Sequence, residues 1–463
     1  MSEPDLLVVG GGPAGMSAAI AASRRGLRCT IVDEGFDLGG QIYRPPTSPL
    51  RAPEPHPRGE GLRNEVRALA DRIEVRKGSA VWGIFEGLRV AVGVEDRTEL
   101  FKPRAVLLAT GAYEFVPPFP GWTLPGVMTP GAAQILVKTM GVAPGKRVVV
   151  AGTGPFLLVV ACQLLNAGVK VVAVLEASRR APWLALPFHG FRSPGLLLDG
   201  LGYLAKLAFA GVPVRYGRMV VSAAGDESVR SVTHAPVDRD WFPDRSKSEA
   251  EEADTLCVGY GFVPRAELAQ MAGCALEMRP DVGGWVPARD RDLRTTVPGI
   301  FAAGDGSGVA GALVAELEGR LAGIAAAVSL GALDRAEFNR VRRPIDRQLA
   351  RLIPMRRALD RISAIQPGLS SLVDDRTTVC RCEEVAWSEV RDSIRAGSST
   401  YPTVKVSTRV GMGACQGRFC WPSVARLVAG ELKCPLADVG QGSARPPLRP
   451  ITLGALATSP REG

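Results

Sequence analysis

Two stretches of this 463-residue chain, with their first glycines at Gly10 and Gly152, follow one plan. Each has a short apolar run, a glycine turn, a helix of small or apolar residues, and a second apolar run ending in an acid. In the first, Leu6–Val9 leads into Gly10-Gly11-Gly12-Pro13-Ala14-Gly15, Met16–Ala22 follows, and Cys29–Val32 ends in Asp33-Glu34. In the second, Arg147–Ala151 leads into Gly152-Thr153-Gly154, then Leu157–Leu165, then Val169–Leu175 ending in Glu176. A strand, tight turn and helix of this kind is part of a parallel α/β unit. Its repetition predicts two nucleotide-binding domains of one architecture. Further strand candidates at Ala105–Leu108, Thr255–Val258 and Gly299–Ala303 alternate with helical stretches, as a largely parallel sheet requires.

In the first fingerprint each glycine has a mechanical task. Gly10 permits the turn, Gly12 lets backbone approach a pyrophosphate, and Gly15 lets the helix pack on the strand. Pro13 and Ala14 open a helix whose unpaired N–H groups favour an anion. Asp33, at the end of the second apolar run, suits a carboxylate that accepts ribose hydroxyls, with Glu34 as the neighbouring candidate. The second fingerprint departs from the pattern, because Leu157 stands where the third glycine belongs and would hold the helix off the strand. Gly152, Gly154 and Glu176, the last at nearly the spacing of Asp33 from its glycine, leave room for an adenine nucleotide in that second site. Leu157 speaks against nicotinamide use.

The net charge of +9 gathers in one place: residues 331–361 hold nine Arg against four acids. Phe338 is the sole aromatic there and apolar residues run beside the arginines, so a basic helical linker fits better than a nucleic-acid surface, which interleaves cations with stacking aromatics. Apolar runs such as Phe156–Cys162 fall short of the ~18 residues that span a bilayer. Three scattered His leave no zinc-hydrolase pattern, and no Cys-x-x-Cys follows the first fingerprint, which excludes a dithiol-disulfide reductase.

Of nine Cys, four cluster near the C-terminus, as Cys380-Arg381-Cys382 and Cys415-x4-Cys420. Two close pairs match a [2Fe–2S] cluster, in which each iron takes two protein ligands. Structural zinc, the alternative, more usually shows Cys-x2-Cys knuckles. Gly411, Gly413 and Gly417 supply backbone whose N–H groups can point at sulfur.

Several segments carry a family resemblance. Gly39-Gly40-Gln41, Leu108-Ala109-Thr110-Gly111 and Thr296-Val297-Pro298-Gly299-Ile300-Phe301-Ala302-Ala303-Gly304-Asp305 resemble the two-dinucleotide-domain flavoproteins, the class of glutathione and thioredoxin reductases. The resemblance implies FAD, its ADP half on the first fingerprint and Asp305 at the ribityl and pyrophosphate part. Gly40, Gln41, Thr110, Gly111 and Gly304 are the other residues it implicates, and Val81 is counted with them. Cys380-Arg381-Cys382-Glu383-Glu384-Val385 with Gly411–Cys420 resembles the bacterioferritin-associated-ferredoxin-like [2Fe–2S] domain. Joined, the whole resembles the α or A subunits of heteromeric amino-acid and opine dehydrogenases.

That resemblance implies an amino-acid-oxidase-like flavoprotein β subunit, with room for a small third subunit and for an FMN at a subunit interface. This chain would carry FAD and [2Fe–2S], serve oxidation of a C–N bond elsewhere, and pass electrons to a respiratory acceptor. It would work in the cytoplasm, on the inner face of the membrane where such acceptors lie. The alternative is a self-sufficient NAD(P)H-dependent reductase. No catalytic base or nucleophile stands near the flavin motifs, since the cofactors supply the chemistry. Tyr43 and Arg44, after the Gly-Gly-Gln segment, are candidates either for flavin-proximal groups or for ordinary packing. The expected organisation is an FAD domain at 1–115 and 253–330, a second nucleotide domain at 116–252, a linker at 331–375 and the [2Fe–2S] domain at 376–440. A Pro-rich tail at 441–463 should run as an extended strap.

Overall fold

A computed structural model of the chain describes residues 3–47 and 56–458, so residues 1–2, 48–55 and the tail's 459–463 lie outside the described residues. The apolar runs become the central strands of two five-stranded sheets. The first is all parallel, ordered 300–302, 105–108, 6–9, 29–32 and 73–76. The second, also parallel, is ordered 214–216, 170–176, 147–152, 255–259 and 127–128. Each unit also carries a three-stranded antiparallel sheet, at 80–101 in the first and 218–252 in the second. The architecture is therefore α/β, with the sequence repeat reproduced in three dimensions.

The return to the first unit falls later than 253. Thr255–Gly259 pairs with Arg147–Gly152 inside the second sheet, where it plays the part that Ala105–Leu108 plays in the first. Both strands end at the glycine turn: a Cβ on Gly10 would stand 2.3 Å from the Ala109 carbonyl oxygen, and one on Gly152 would stand 1.7 Å from that of Gly259. No residue but glycine fits at either place.

Helix Pro13–Ser23 is buried almost throughout, and small residues are the reason that it can be. A Cβ on Gly15 would meet the Gly10 carbonyl at 1.8 Å. On its other flank, Gly319 and Gly323 of helix Ala312–Ser329 approach the Ala14 and Ala18 carbonyls so closely that a Cβ would stand 2.1 and 2.2 Å away. Helix Phe156–Asn166 in the second unit instead buries Leu157 among Val148, Val150 and Val160. The second unit thus has room for a buried leucine where the first has room only for a glycine.

The basic stretch forms one helix, Arg335–Ile362, capped by Asp334 on the Glu337 amide at 2.8 Å. Most of its arginines face solvent, but two of them act as anchors. Arg335 (2.7 Å) and Arg342 both reach the buried Asp292, with Phe338 packed beneath them. Burial alone would raise the Asp292 carboxyl, but the arginines outweigh it and hold the group below its usual range. The tail begins as the expected strap, whose Leu448 amide bonds the Trp82 carbonyl at 2.8 Å. It then departs from extended chain and closes with a short helix, Leu453–Ala457, beside strand Arg97–Phe101, where Thr98 Oγ1 bonds the Ala455 carbonyl.

Candidate functional site

At the carboxyl ends of the first sheet three neighbouring strands, 300–302, 105–108 and 6–9, bring their loops together. A Cβ on Gly304 would meet the Ala14 methyl at 2.9 Å, and one on Gly306 would meet Thr110 Oγ1 at 2.6 Å. The Gly39 amide bonds the Gly11 carbonyl at 2.9 Å, and Gly40 lies against Gly12. The segments Gly10–Gly15, Gly39–Gln41, Thr110–Gly111 and Gly304–Asp305 thus line one crevice, the position where open α/β sheets bind ligands. Apart from Gly40, the face of Gly12 is open, as a pyrophosphate requires.

Asp33 accepts from the Gly11 amide at 2.5 Å and the Gly35 amide at 2.7 Å, so it braces the glycine turn from the end of strand Cys29–Val32. Glu34 pairs with Arg449 of the tail at 2.6 Å. Asp305 Oδ1 accepts from the Ala310 and Gly311 amides, both at 2.9 Å, while burial pushes its carboxyl up against those amides. Beside it, the buried Ser307 hydroxyl has no partner among the described residues. Gln41 is exposed. The Val81 side chain is core, buried with Val9 and Val32. Its strand starts just past Ser79, whose amide bonds the Asp33 carbonyl at 3.0 Å. A glycine-lined crevice with an oriented carboxylate and an unpartnered hydroxyl fits FAD.

The four clustered cysteines come together in a small domain with its own core of Val379, Val385, Trp387, Val404 and Val424. Cys380 and Cys420 are buried, Cys415 is half-buried and Cys382 is exposed. They stand as two interacting pairs. The Cys420 thiol donates to Cys380 and holds it at about 5 despite burial, with the backbone N–H groups of Gly411, Glu383 and Cys382 adding to the effect. Cys382 interacts with Cys415. Among the described residues no three metal-ligating side chains converge on a single ion position. Two pairs suit a dinuclear cluster, two thiolates to each iron, better than one zinc ion. Gly413 approaches so closely that a Cβ would stand 2.2 Å from that of Cys382.

Three participants carry no motif in the sequence. The buried Tyr401 hydroxyl lies against Cys420 and has no oxygen or nitrogen partner among the described residues. Its ring meets Trp421 edge-on at 6.1 Å, and Trp421 Nε1 donates to Tyr113 Oη at 3.0 Å, just past Gly111. Around this contact Ser423 bonds the Val116 carbonyl at 2.8 Å, and Trp122 donates to the Thr378 carbonyl at 2.6 Å. The cluster domain is therefore seated on the strand that leaves the FAD crevice. Trp421→Phe should cost about 1 kcal/mol by removing one buried hydrogen bond, measured as an earlier loss of cluster absorbance in urea, with the flavin spectrum unchanged.

Gly152, Gly154 and Glu176 lie in the other sheet, and their surroundings differ. Glu176 is 3% exposed. It accepts from Thr153 Oγ1 (2.8 Å), the Gly154 amide (2.9 Å) and the Ser178 amide (2.9 Å), and burial pushes its carboxyl up to about 7. The end of helix Arg335–Ile362 abuts the glycine turn: Thr153 Oγ1 lies 3.5 Å from the Ile362 carbonyl, and a Cβ on Gly154 would stand 2.7 Å from Ser363 Oγ.

Comparison with known proteins agrees with this anatomy. Residues 4–329 match the model of the pyridine nucleotide-disulphide oxidoreductase family, and residues 378–429 that of the BFD-like [2Fe-2S] binding domain. The chain belongs to the pyridine nucleotide-disulphide oxidoreductase family. It is an oxidoreductase that holds FAD and a [2Fe–2S] cluster. It is 36% identical to hydrogen cyanide synthase subunit HcnB of Pseudomonas protegens, over 98% of both chains. The A subunit of opine oxidase from Agrobacterium tumefaciens is 35% identical, over 98% of this chain and 92% of the other. The fold matches L-proline dehydrogenase from P. horikoshii with a TM-score of 0.69 at 21% identity, covering 98% of this chain and 79% of that one.

Proposed function

We propose that this chain is the electron-transfer subunit of a heteromeric dehydrogenase that oxidises the C–N bond of an amino acid, imino acid or opine. Its electrons come from a partner flavoprotein subunit and pass to a respiratory acceptor. The relatives named above are themselves subunits of a synthase and an oxidase, which supports the heteromeric part of the reading.

The observation that carries it is the closed second nucleotide site. A pyrophosphate would approach Gly154, where Ser363 Oγ stands, and it would meet the carbonyl end of helix Arg335–Ile362. Helix carboxyl ends carry partial negative charge and repel an anion. Glu176, bonded into its own turn, is out of reach of solvent. A chain that cannot seat NAD(P)H must be fed by another protein.

In this reading Gly10–Gly15, Asp33 and Asp305 orient the FAD, Cys380, Cys382, Cys415 and Cys420 hold the cluster, and Tyr113, Trp421 and Tyr401 fix the distance between them. The two groups supply one- and two-electron chemistry. The polypeptide binds them, spaces them and keeps water from their buried sides.

The decisive experiment is the anaerobic visible spectrum of the purified chain. NADH or NADPH in excess should leave the flavin and cluster bands intact, while dithionite bleaches both. Rapid bleaching by either nucleotide would overturn the reading in favour of a self-sufficient reductase.

A further inference from the structure

Segment Arg179–Phe209 of the second unit follows the strand that ends at Glu176 and forms helices Arg180–Leu184, Leu186–Gly190 and Pro194–Phe209. The last is apolar on its inner and outer sides and carries only two charged residues, Asp199 and Lys206. Its inner side packs Leu207, with Tyr203 and Leu204, on the core of the unit. Its outer side presents Leu198 and Leu201, 67% and 62% exposed, and ends in Phe209 at 93%. The short helices before it add Leu184, Phe188 (81%) and Phe191. An ordinary soluble surface scatters exposed apolar side chains singly, and six large ones between Leu184 and Phe209 mark a surface made to be covered.

The charges in the segment are predominantly positive. Arg179, Arg180, Arg192 and Lys206 are exposed against the single acid Asp199. Arg192 lies over the Phe191 ring at 5.9 Å. Cations among protruding phenylalanines and leucines are complementary to an anionic lipid surface: the cations meet headgroups while the apolar side chains enter the layer beneath. Helix Pro194–Phe209 has 16 residues, and no described helix is long and apolar enough to cross a membrane. The segment would therefore lie along the bilayer surface.

We infer that the outer face of Arg179–Phe209 is a membrane-docking surface that takes anionic lipid headgroups and the acyl boundary below them. It rests on no assumption about the electron donor, so it stands or falls apart from the function proposed above. It would hold the chain where lipid-borne acceptors are found.

The test uses the full-length, cofactor-loaded chain in a vesicle flotation assay, with phosphatidylcholine alone or with about one third phosphatidylserine. The chain should float with the anionic vesicles, less so as salt is raised. Phe188→Ser and Phe209→Ser should each weaken binding about tenfold or more. Arg179→Ala and Arg180→Ala should weaken it roughly fivefold each. These side chains are exposed, and unchanged flavin and cluster spectra report an intact fold. A chain that stays unbound at low salt, or a Phe188/Phe209 double variant that floats like the parent, overturns the inference. If the parent never floats and the double variant releases a co-expressed partner subunit, the face is a contact between subunits and the inference fails.

Discussion

Gly10→Ala is expected to yield a chain that retains little or no FAD. Gly10 has φ +104°, which costs an L-residue about 1–3 kcal/mol. The added methyl would also stand 2.3 Å from the Ala109 carbonyl oxygen and 2.9 Å from its carbon. Those atoms are backbone at the end of a central strand and cannot swing aside. Relief must come from parting strands 6–9 and 105–108, the two that carry the glycine turn and Thr110–Gly111 to the crevice. The flavin-to-protein absorbance ratio of the purified variant measures the outcome. Gly26→Ala is the control, since Gly26 has φ +90° with nothing within 4 Å of a Cβ. It carries the backbone strain without the collision and should keep its FAD. A Gly10→Ala chain with a full flavin complement would show that the strands tolerate separation and that the crevice is not built as described.

Cys380→Ser should abolish the iron–sulfur absorbance and reduced-state paramagnetic signal while leaving the flavin bands in place. Cys380 is the most buried of the four thiols and the one that gathers the Cys420 thiol and three backbone N–H groups. A serine hydroxyl is a poor thiolate substitute for iron, and binding of a metal group to such a small domain contributes to its folding. The variant should therefore lose thermal stability at residues 376–440 as well as colour, with the strands at 6–9 and 105–108 unaffected. Cys434→Ser, outside the two pairs, should change neither property. Full iron content in the Cys380→Ser chain would remove Cys380 from the ligand set.

The α/β architecture and the FAD crevice were legible because they rest on local rules. Period and composition mark Leu6–Val9 and Ala105–Leu108 as buried parallel strands, glycines at Gly10 and Gly15 report contacts too close for any other side chain, and Gly12 leaves an open face for a ligand. The cysteine pairs were legible for the same reason: ligand chemistry restricts the residue type and the spacing. Glu176 shows where local spacing runs out. It stands at nearly the same spacing as Asp33 and likewise accepts from the amides of its own turn, but only the fold brings the end of a helix that begins at Arg335 beside it.

Tyr401, Trp421 and Tyr113 show the other limit. They are single aromatic residues with no periodicity or motif, and their meaning lies wholly in the seating of one domain on another. The same holds for Arg335 and Arg342, which composition presents as a basic surface and which the fold turns inward to Asp292. By itself, the sequence determined the two repeated nucleotide-binding units, the residues of the flavin crevice and the four thiols, because strand pairing, glycine contacts and metal ligation act over short range and tolerate few residue types. Only the tertiary structure brought the end of helix Arg335–Ile362 onto the second glycine turn, seated the cluster domain on the strand leaving the flavin crevice, and left a basic, apolar face exposed. Those outcomes depend on which distant segments pack together, and packing is chosen by the sum of many permissive contacts that no single position records.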